Sequence, residues 1–235
     1  MARRITRKSL KQDEFVEAAF DAGVWLEQHW RKVALGVVVV AAAVAVGIGV
    51  RLWNTARARA ASEMFDEGYV LYRDAAESGP AGATLTTASL SDALGRFHDT
   101  AQRAGGKPLG EVALLYEGLA HMQSGNPSEA GPRFEEVAER ASNPVLRSAA
   151  RANLAQALAA SGDVDRAIAT WTELSEADPP YYPADHAVLH IAKLMVGAGR
   201  SAEAVEVLRD LVAEYPQTSS AVAGQALLDQ IAGGQ

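Results

Sequence analysis

"SGNPSEAGPRFEEV", at residues 124–137, is followed by two related stretches, "SGDVDRAIATWTEL" at 161–174 and "AGRSAEAVEVLRDL" at 198–211. Each begins with a small residue and a glycine; an alanine, a bulky residue and an aliphatic residue follow 5, 9 and 12 positions after that glycine. All four markers advance by 37 residues: Gly125, Gly162 and Gly199; Ala130, Ala167 and Ala204; Phe134, Trp171 and Leu208; Val137, Leu174 and Leu211. A shared period of this length indicates a repeat protein.

Each stretch predicts the end of one helix and the apolar stripe of the next. A glycine ends a helix by adopting the left-handed backbone conformation. The alanine, bulky and aliphatic positions, at i, i+4 and i+7, line one face of the second helix. The alanine is small because two helices are expected to cross there. Prolines close the units at Pro144, Pro179 and Pro216, where a helix is expected to stop.

The unit resembles the tetratricopeptide repeat, which has a glycine in its first helix, an alanine at the start of the second, then an aromatic residue and a proline. Gly118 matches the first of these positions. The sequence departs from the pattern in three respects: Ala155 and Ala192 replace the glycine, Leu208 replaces the aromatic residue, and the period is 37. The resemblance implies an all-α protein, a right-handed α-solenoid of tetratricopeptide-like helical hairpins.

We expect this solenoid to occupy residues 56–232. A divergent unit at 56–105 repeats the alanine and bulky positions as Ala93 and Phe97, and contains a longer loop at 77–89. The regular units are predicted at 110–144, 145–180 and 184–216. A capping helix at 217–232 should cover the last hydrophobic face with its apolar residues, Val222, Ala226, Leu227 and Ile231.

An uncharged run from Val33 to Val50 precedes the repeats. As a helix it would span about 27 Å, close to the roughly 30 Å thickness of the hydrocarbon layer. Trp30 and Trp53 bracket it, as aromatic residues do at membrane interfaces. A buried core helix and a cleaved signal peptide are the alternatives. The lack of a polar edge and the 32-residue tail in front favour an uncleaved transmembrane anchor at 33–53.

Residues 1–32 form a predicted cytoplasmic tail with an amphipathic helix, which either lies along the membrane or is simply solvated. The tail holds seven basic and five acidic residues, which favours a cytoplasmic N-terminus, although Arg51, Arg57 and Arg59 argue the other way. Long domains translocate largely regardless of charge, so we place the C-terminal domain outside the cytoplasm. The opposite orientation would make the protein an anchored cytosolic scaffold.

Small residues recur at four-residue spacing inside the anchor, at Ala43 and Gly47 and again at Ala45 and Gly49. Such spacing lets a second membrane helix approach closely, so these residues form a predicted membrane partner face. Alanine-rich helices also show this spacing by chance.

The sequence offers no convergent catalytic site, so we predict no enzymatic activity, cofactor or metal. There is no cysteine, which excludes thiol catalysis. His186 and His190 stand at i and i+4 and could face one metal, but no third ligand lies nearby, and structural or groove-lining roles are the default. The chain carries a net charge of −7 although its tail is basic, so the acidic repeats are unsuited to nucleic acid.

Repeats of this kind offer a concave surface, built mainly from first helices, that holds a peptide. The resemblance implies a groove lined by side chains of the first helices, among them Leu115, Leu119, Met122, Gln156, His186, Leu189 and Lys193. The alternative is that several of them pack against a neighbouring unit. An apolar groove with few charges favours weak contacts with hydrophobic stretches of unfolded chains.

The whole arrangement is similar to the ancillary subunit family of the bacterial Sec translocon. The local match lies around the anchor, in "DEFVEAAFDAGVWLEQHWRKVALG" (13–36) and "VRLWNTARARAASEMFDEG" (50–68). This resemblance implies a single-pass inner-membrane protein whose periplasmic domain associates with Sec channel subunits and contacts newly exported proteins or periplasmic chaperones. The alternative is a structural adaptor in envelope assembly or cell division that binds one fixed partner.

Overall fold

The computed structural model describes the backbone of residues 7–77 and 83–233, and the side chains of residues 25–77 and 87–233. The described residues contain no strand, which confirms the all-α prediction. They form nine helices: α1 (Arg7–Glu77), α2 (Ala83–Ala104), α3 (Pro108–Gln123), α4 (Pro127–Arg140), α5 (Pro144–Ala160), α6 (Val164–Ser175), α7 (Ala184–Gly197), α8 (Ser201–Glu214) and α9 (Ser219–Gly233).

The chain divides into two compact units, Met1–Ala56 and Arg57–Gln235. In the first unit the apolar run is helical, and nine large aliphatic side chains between Leu35 and Val50 are each 51% to 66% exposed. Among the described helices, α1 is the one that is long and apolar enough to cross a membrane. The tail is helical from Arg7, but the side chains of its predicted amphipathic face before Trp25 lie outside those that the structure describes.

Three identical turns join the helices of the regular hairpins. Gly125, Gly162 and Gly199 have φ of 75°, 88° and 77°, which confirms the predicted left-handed helix ends. In the first turn the Gly125 N–H donates to Met122 O at 3.1 Å, and the Asn126 N–H donates to His121 O at 2.9 Å. This Schellman pattern recurs at Gly162 and Gly199 and satisfies carbonyl groups that a helix end leaves unpaired.

The predicted apolar stripe forms the core of each hairpin. The alanine, bulky and aliphatic positions of α4, α6 and α8 are all at most 1% exposed. In α2 the equivalent residues Ala93, Phe97 and Thr100 are 0% exposed, and Thr100 Oγ1 donates to Arg96 O at 2.7 Å. Phe65 and Tyr72 of α1 pack against Phe97. The C-terminal end of α1 and α2 therefore form the divergent first hairpin.

The structure corrects the prediction that Pro144 closes a unit. Pro144 is the first residue of α5, where its missing N–H is not needed, and the Asn143 Oδ1 cap accepts from the Val145 N–H at 2.9 Å. Pro108 and Pro127 begin α3 and α4 in the same way. A proline can thus mark either the end of one helix or the start of the next.

The predicted loop at 77–89 is shorter than expected, because α2 already begins at Ala83. Residues 78–82 lie outside the described structure. These five residues hold the helix-breaking glycines and proline of the stretch, whereas residues 83–89 contain only residues that a helix accepts.

Helix α9 covers the last hairpin, but two of the four residues predicted for its packing face, Val222 and Ala226, are exposed. Leu227 and Ile231 pack against the cluster that contains Leu208, as expected. Val222 is 71% exposed, and its neighbour Ala223 packs instead. The reason is the bare backbone of Gly224, which lets α9 approach α8 closely.

Candidate protein-binding face

The first helices of the hairpins are neighbours along the stack, since α3 contacts α5 and α7 contacts α9. We call the exposed side of α3, α5, α7 and α9 the first-helix face. Four of the seven predicted groove residues pack partly or largely between helices: Leu189 is buried, whereas Leu115, Leu119 and Met122 are half-buried. Leu115, Leu119 and Met122 pack against the cluster around Phe134, and Leu189 is only 8% exposed. These four side chains stabilise the stack.

The other three predicted groove residues, Gln156, His186 and Lys193, are exposed. His186 and Lys193 line a pocket of about 320 Å³ together with Leu189. His190 of α7 and Ser219, Ser220 and Ala223 of α9 complete it. The repeat markers do not predict these serines, because α9 lies beyond the last unit that carries the markers. The exposed chemistry of this end of the face is therefore polar and basic.

An aromatic cluster that the repeat pattern does not predict lies where α1 meets α3. The rings of Tyr69 and Tyr116 meet edge to face with centroids 5.5 Å apart, and Tyr72 contacts Tyr116 at 5.8 Å. Tyr69 is 40% exposed. Burial raises the pKa of Tyr72 and of Tyr116, so both hydroxyls are neutral at pH 7. The cluster offers aromatic surface with neutral polar tips to a partner.

A buried ionic group joins α2, α3 and α4. The Glu117 side chain is 4% exposed, and its Oε1 lies 2.9 Å from Arg133 Nε and 3.2 Å from His98 Nδ1. Glu117 Oε2 and His121 Nδ1 are buried without a hydrogen bond to any described residue, and the Arg133 Nε contact is close in distance but poorly aligned. Removing one partner would leave an unpaired buried charge, which costs more free energy than the intact pair contributes. The group therefore favours the arrangement of α2, α3 and α4 in which the pair is kept.

A second buried acid, Glu111, ties α3 to the turn before α5. The Ser142 N–H donates to Glu111 Oε1 at 3.1 Å, and the Ser142 hydroxyl donates to Oε2 at 3.2 Å. Glu111 is 7% exposed, and these two bonds satisfy both of its oxygens. This contact links consecutive units through a polar anchor rather than through apolar packing.

Lowering the pH from 7.5 to 5.5 is expected to destabilise the repeat unit. Burial lowers the pKa of His121 and of His190, while unfolded histidine has a pKa of about 6.5. Near pH 6 the unfolded chain therefore binds more protons than the folded chain. The stability that the two neutral histidines contribute is fully present well above pH 6.5 and is lost as the pH falls below that value. The loss is at most about 1.4 kcal/mol per pH unit and per histidine.

Urea unfolding of the full chain in detergent at several pH values would measure this effect. His121→Met removes one titrating ring, and His190→Tyr removes the other while keeping an aromatic ring against Trp171, whose centroid lies 4.4 Å from that of His190. Each variant should flatten the pH dependence, and the double variant should flatten it most. Equal pH dependence in the native and doubly substituted chains would contradict the prediction.

The described side chains include no group of three histidine or carboxylate residues that could hold a metal ion, so His186 and His190 are not joined by a third ligand. The first-helix face thus has Tyr116 of the aromatic cluster at one end and the pocket with His186 and Lys193 at the other, both of which offer surface to a binding partner.

Two family profiles match the chain: that of the tetratricopeptide repeat-like domain at residues 24–184 and that of the tetratricopeptide repeat at residues 186–218. No curated protein matches it. Among solved structures it is similar to a kinesin light chain candidate from Podosopora anserina with nearly identical TPR-like repeats. The identity is 20%, the match covers 72% of this chain and 85% of that chain, and the TM-score is 0.54.

The chain is also similar to a tetratricopeptide repeat protein from Parabacteroides merdae. The identity is 14%, the match covers 75% of this chain and 61% of that chain, and the TM-score is 0.54. At such identities the likeness to solved structures shows the fold alone. The fold is typically a non-enzymatic scaffold for protein interaction. Because the first family profile covers more than half of its length, the chain belongs to the tetratricopeptide repeat-like domain family.

Proposed function

We propose that the protein is a membrane-anchored interaction module of the bacterial inner membrane. Residues 33–53 cross the bilayer once, residues 1–32 lie in the cytoplasm, and the repeats at 56–232 lie in the periplasm. There the first-helix face holds newly exported polypeptides, or periplasmic chaperones that carry them, beside the channel subunits of the Sec translocon. Tetratricopeptide-like repeats generally mediate protein–protein interaction, which supports the binding role.

One observation carries the proposal: helix α1 has nine large exposed aliphatic side chains, and the same chain contains a repeat domain. In water each such side chain forgoes about 1.5–3 kcal/mol of burial free energy, a cost that a bilayer removes. Gly47 and Gly49 lack side chains, which would let a second membrane helix approach the predicted membrane partner face closely. A channel subunit is the partner that we propose for it.

The aromatic cluster supports contact with apolar segments of unfolded chains, because Tyr69 and Tyr116 offer rigid surface at low entropic cost. An adaptor with one fixed partner is the second candidate function. The acidic Glu111 and the buried Glu117 group favour it, since they hold consecutive units in one geometry, as a specific interface requires.

Photo-crosslinking in cells would test the proposal. A crosslinker at the exposed residue Gln156 or at Tyr69 should capture Sec channel subunits and many exported proteins, whereas one at Glu173, exposed on a second helix, should capture few. A single dominant partner without channel subunits would favour the adaptor. A reporter that is active only outside the cytoplasm, fused after Gln235, should be active; a well-expressed but silent fusion would refute the orientation.

A further inference from the structure

We propose that the side of α8 and α9 that no other described helix covers binds the same surface of a second copy of this chain. We call this surface the terminal face and define it by Val205 and Arg209 of α8 and by Val222, Ala226, Leu228 and Asp229 of α9. The inference goes beyond the proposed function, because the partner is a second copy of the chain rather than an exported polypeptide or a channel subunit.

The repeat period shows that the terminal face corresponds to surface that is buried in the preceding units. Counting back one and two periods of 37 residues from Ala226 gives Leu189 and Ala152. These two residues are 8% and 4% exposed, because the helices that follow them in the stack cover them. No described helix follows α9, and Ala226 is exposed. The equivalent apolar surface is therefore open at this end of the stack.

Val222 shows the same contrast. It is 71% exposed, whereas Ser148 and Glu111, which stand two and three periods earlier, are each only 7% exposed. Ser142 of the turn between α4 and α5 covers Glu111 and donates two hydrogen bonds to it. An exposed large apolar side chain at a position that other units bury indicates a contact surface.

The terminal face contains a groove of about 700 Å³ between α8 and α9. Its lining is partly apolar and partly charged: Val205, Leu228 and Ile231 on the one hand, and Glu206, Arg209 and Asp229 on the other. A partner must therefore offer apolar side chains together with charges that match both signs.

Asp229 argues against a further hairpin of the same kind as this partner. It stands where the preceding units have Gly118, Ala155 and Ala192, one to three periods earlier. Each of these small residues packs against the bulky residue of the next helix, which is Phe134, Trp171 or Leu208. A bulky apolar residue on Asp229 would remove its carboxylate from water without supplying a partner, which is costly. A hairpin of a second copy therefore does not fit here as the next unit of the stack.

A second terminal face meets both requirements. Arg209 forms no salt bridge with any described residue, and Asp229 Oδ1 accepts a hydrogen bond from Gln225 Nε2 at 2.9 Å. A two-fold axis that runs along the groove would place α8 of each copy against α9 of the other. Arg209 of one copy would then face Asp229 of the other, and the symmetry would form this pairing twice.

The membrane anchor favours this contact, a step that rests on the proposed function. Two copies that are anchored in one bilayer meet at a higher effective concentration than two free molecules. A contact that is too weak to join free repeat domains can therefore form dimers of the anchored chain.

Crosslinking of the full chain in lipid vesicles would test the interface. The sequence has no cysteine, so Ala226→Cys introduces a single thiol on the terminal face. A short bis-maleimide should join two copies through this thiol. Val145→Cys, at a 55% exposed position at the start of α5, is the matched control and should give about tenfold less covalent dimer.

Charge reversal in the Ala226→Cys chain would test the pairing. Arg209→Glu and Asp229→Lys should each lower the yield of covalent dimer about tenfold, because like charges would then face each other. When the two variants share vesicles and one carries a size tag, dimers between them should regain most of the native yield, since both pairings again join opposite charges. Arg103→Glu, at an exposed arginine in the last turn of α2, is the control and should change nothing.

Three results would overturn the interface. The first is equal crosslinking through the thiols at positions 145 and 226. The second is a native yield in both charge-reversed variants, and the third is that each variant joins its own kind as readily as it joins the other. Restored yield in the mixture also shows that both variants are folded. All three contrary results would leave the proposed function standing, because crosslinking of exported proteins to the first-helix face does not require a second copy.

Discussion

Replacing Trp171 with alanine is expected to destabilise the repeat unit by about 3–5 kcal/mol, the usual cost of truncating a large buried aromatic residue. The indole is 1% exposed and lies in the cluster that joins α5, α6 and α7. Its ring stacks on His190 at 4.4 Å and contacts Tyr182 at 5.5 Å. One side chain thus fills the space between two consecutive units, and its loss would leave a cavity at their junction.

Urea unfolding of the full chain in detergent would measure this loss. Trp171→Phe is the matched control, because Phe134 fills the equivalent position one unit earlier, and it should cost less than about half as much. Since neighbouring units stabilise one another in a repeat stack, the alanine variant should also lose protection of α7 amides in hydrogen exchange. An alanine variant within about 1 kcal/mol of the native chain would disprove the role of Trp171 as a junction residue.

Replacing Gly118 with alanine is expected to cost about 1–3 kcal/mol, although alanine is the better helix former. A Cβ atom at this position would lie 2.5 Å from Phe134 Cε1 and 2.9 Å from Cδ1 and Cζ. The ring is fully buried and therefore has little room to move away. The overlap would push α3 from α4 and disturb the first regular hairpin.

Gly131→Ala is the matched control, because a Cβ at that position of α4 meets nothing within 4 Å. This variant should gain up to about 1 kcal/mol from helix propensity alone. Adding Phe134→Leu to Gly118→Ala should restore part of the lost stability, since it copies the pairing of Ala192 with Leu208 in the third unit. Equal unfolding free energies for Gly118→Ala and Gly131→Ala would contradict the clash.

The sequence predicted the repeat core well because its markers are local. A glycine that must adopt positive φ, and an alanine followed by a bulky residue one turn later, depend only on their own helix end and helix face. Ala130, Phe134 and Val137 could therefore be assigned to the core, and their counterparts followed from the period. Pro144 was misassigned because proline suits both the end of one helix and the first turn of the next.

The binding face could be predicted only in part, because exposure depends on neighbouring helices. Leu119 and Leu189 have the spacing of a groove residue, but neighbouring helices bury Leu189 and cover part of Leu119. Whether a residue of the helix after the next reaches the same pocket cannot be read from periodicity, so Ser220 of α9 was not predicted beside the pocket residues of α7. Glu117 was missed for the same reason: its partners lie on α2 and α4, and no local pattern distinguishes it from a solvated acid.

The three matching Schellman turns have a consequence for how such a protein changes over generations. Each turn is held by hydrogen bonds between its own main-chain groups, and each hairpin buries its own apolar stripe. A 37-residue segment therefore contains both the turn and the stripe of one hairpin. Duplication or deletion of whole segments would thus lengthen or shorten the first-helix face without requiring a new kind of contact between hairpins. Insertions between a turn and the stripe that follows it would instead move the apolar residues off the packing face.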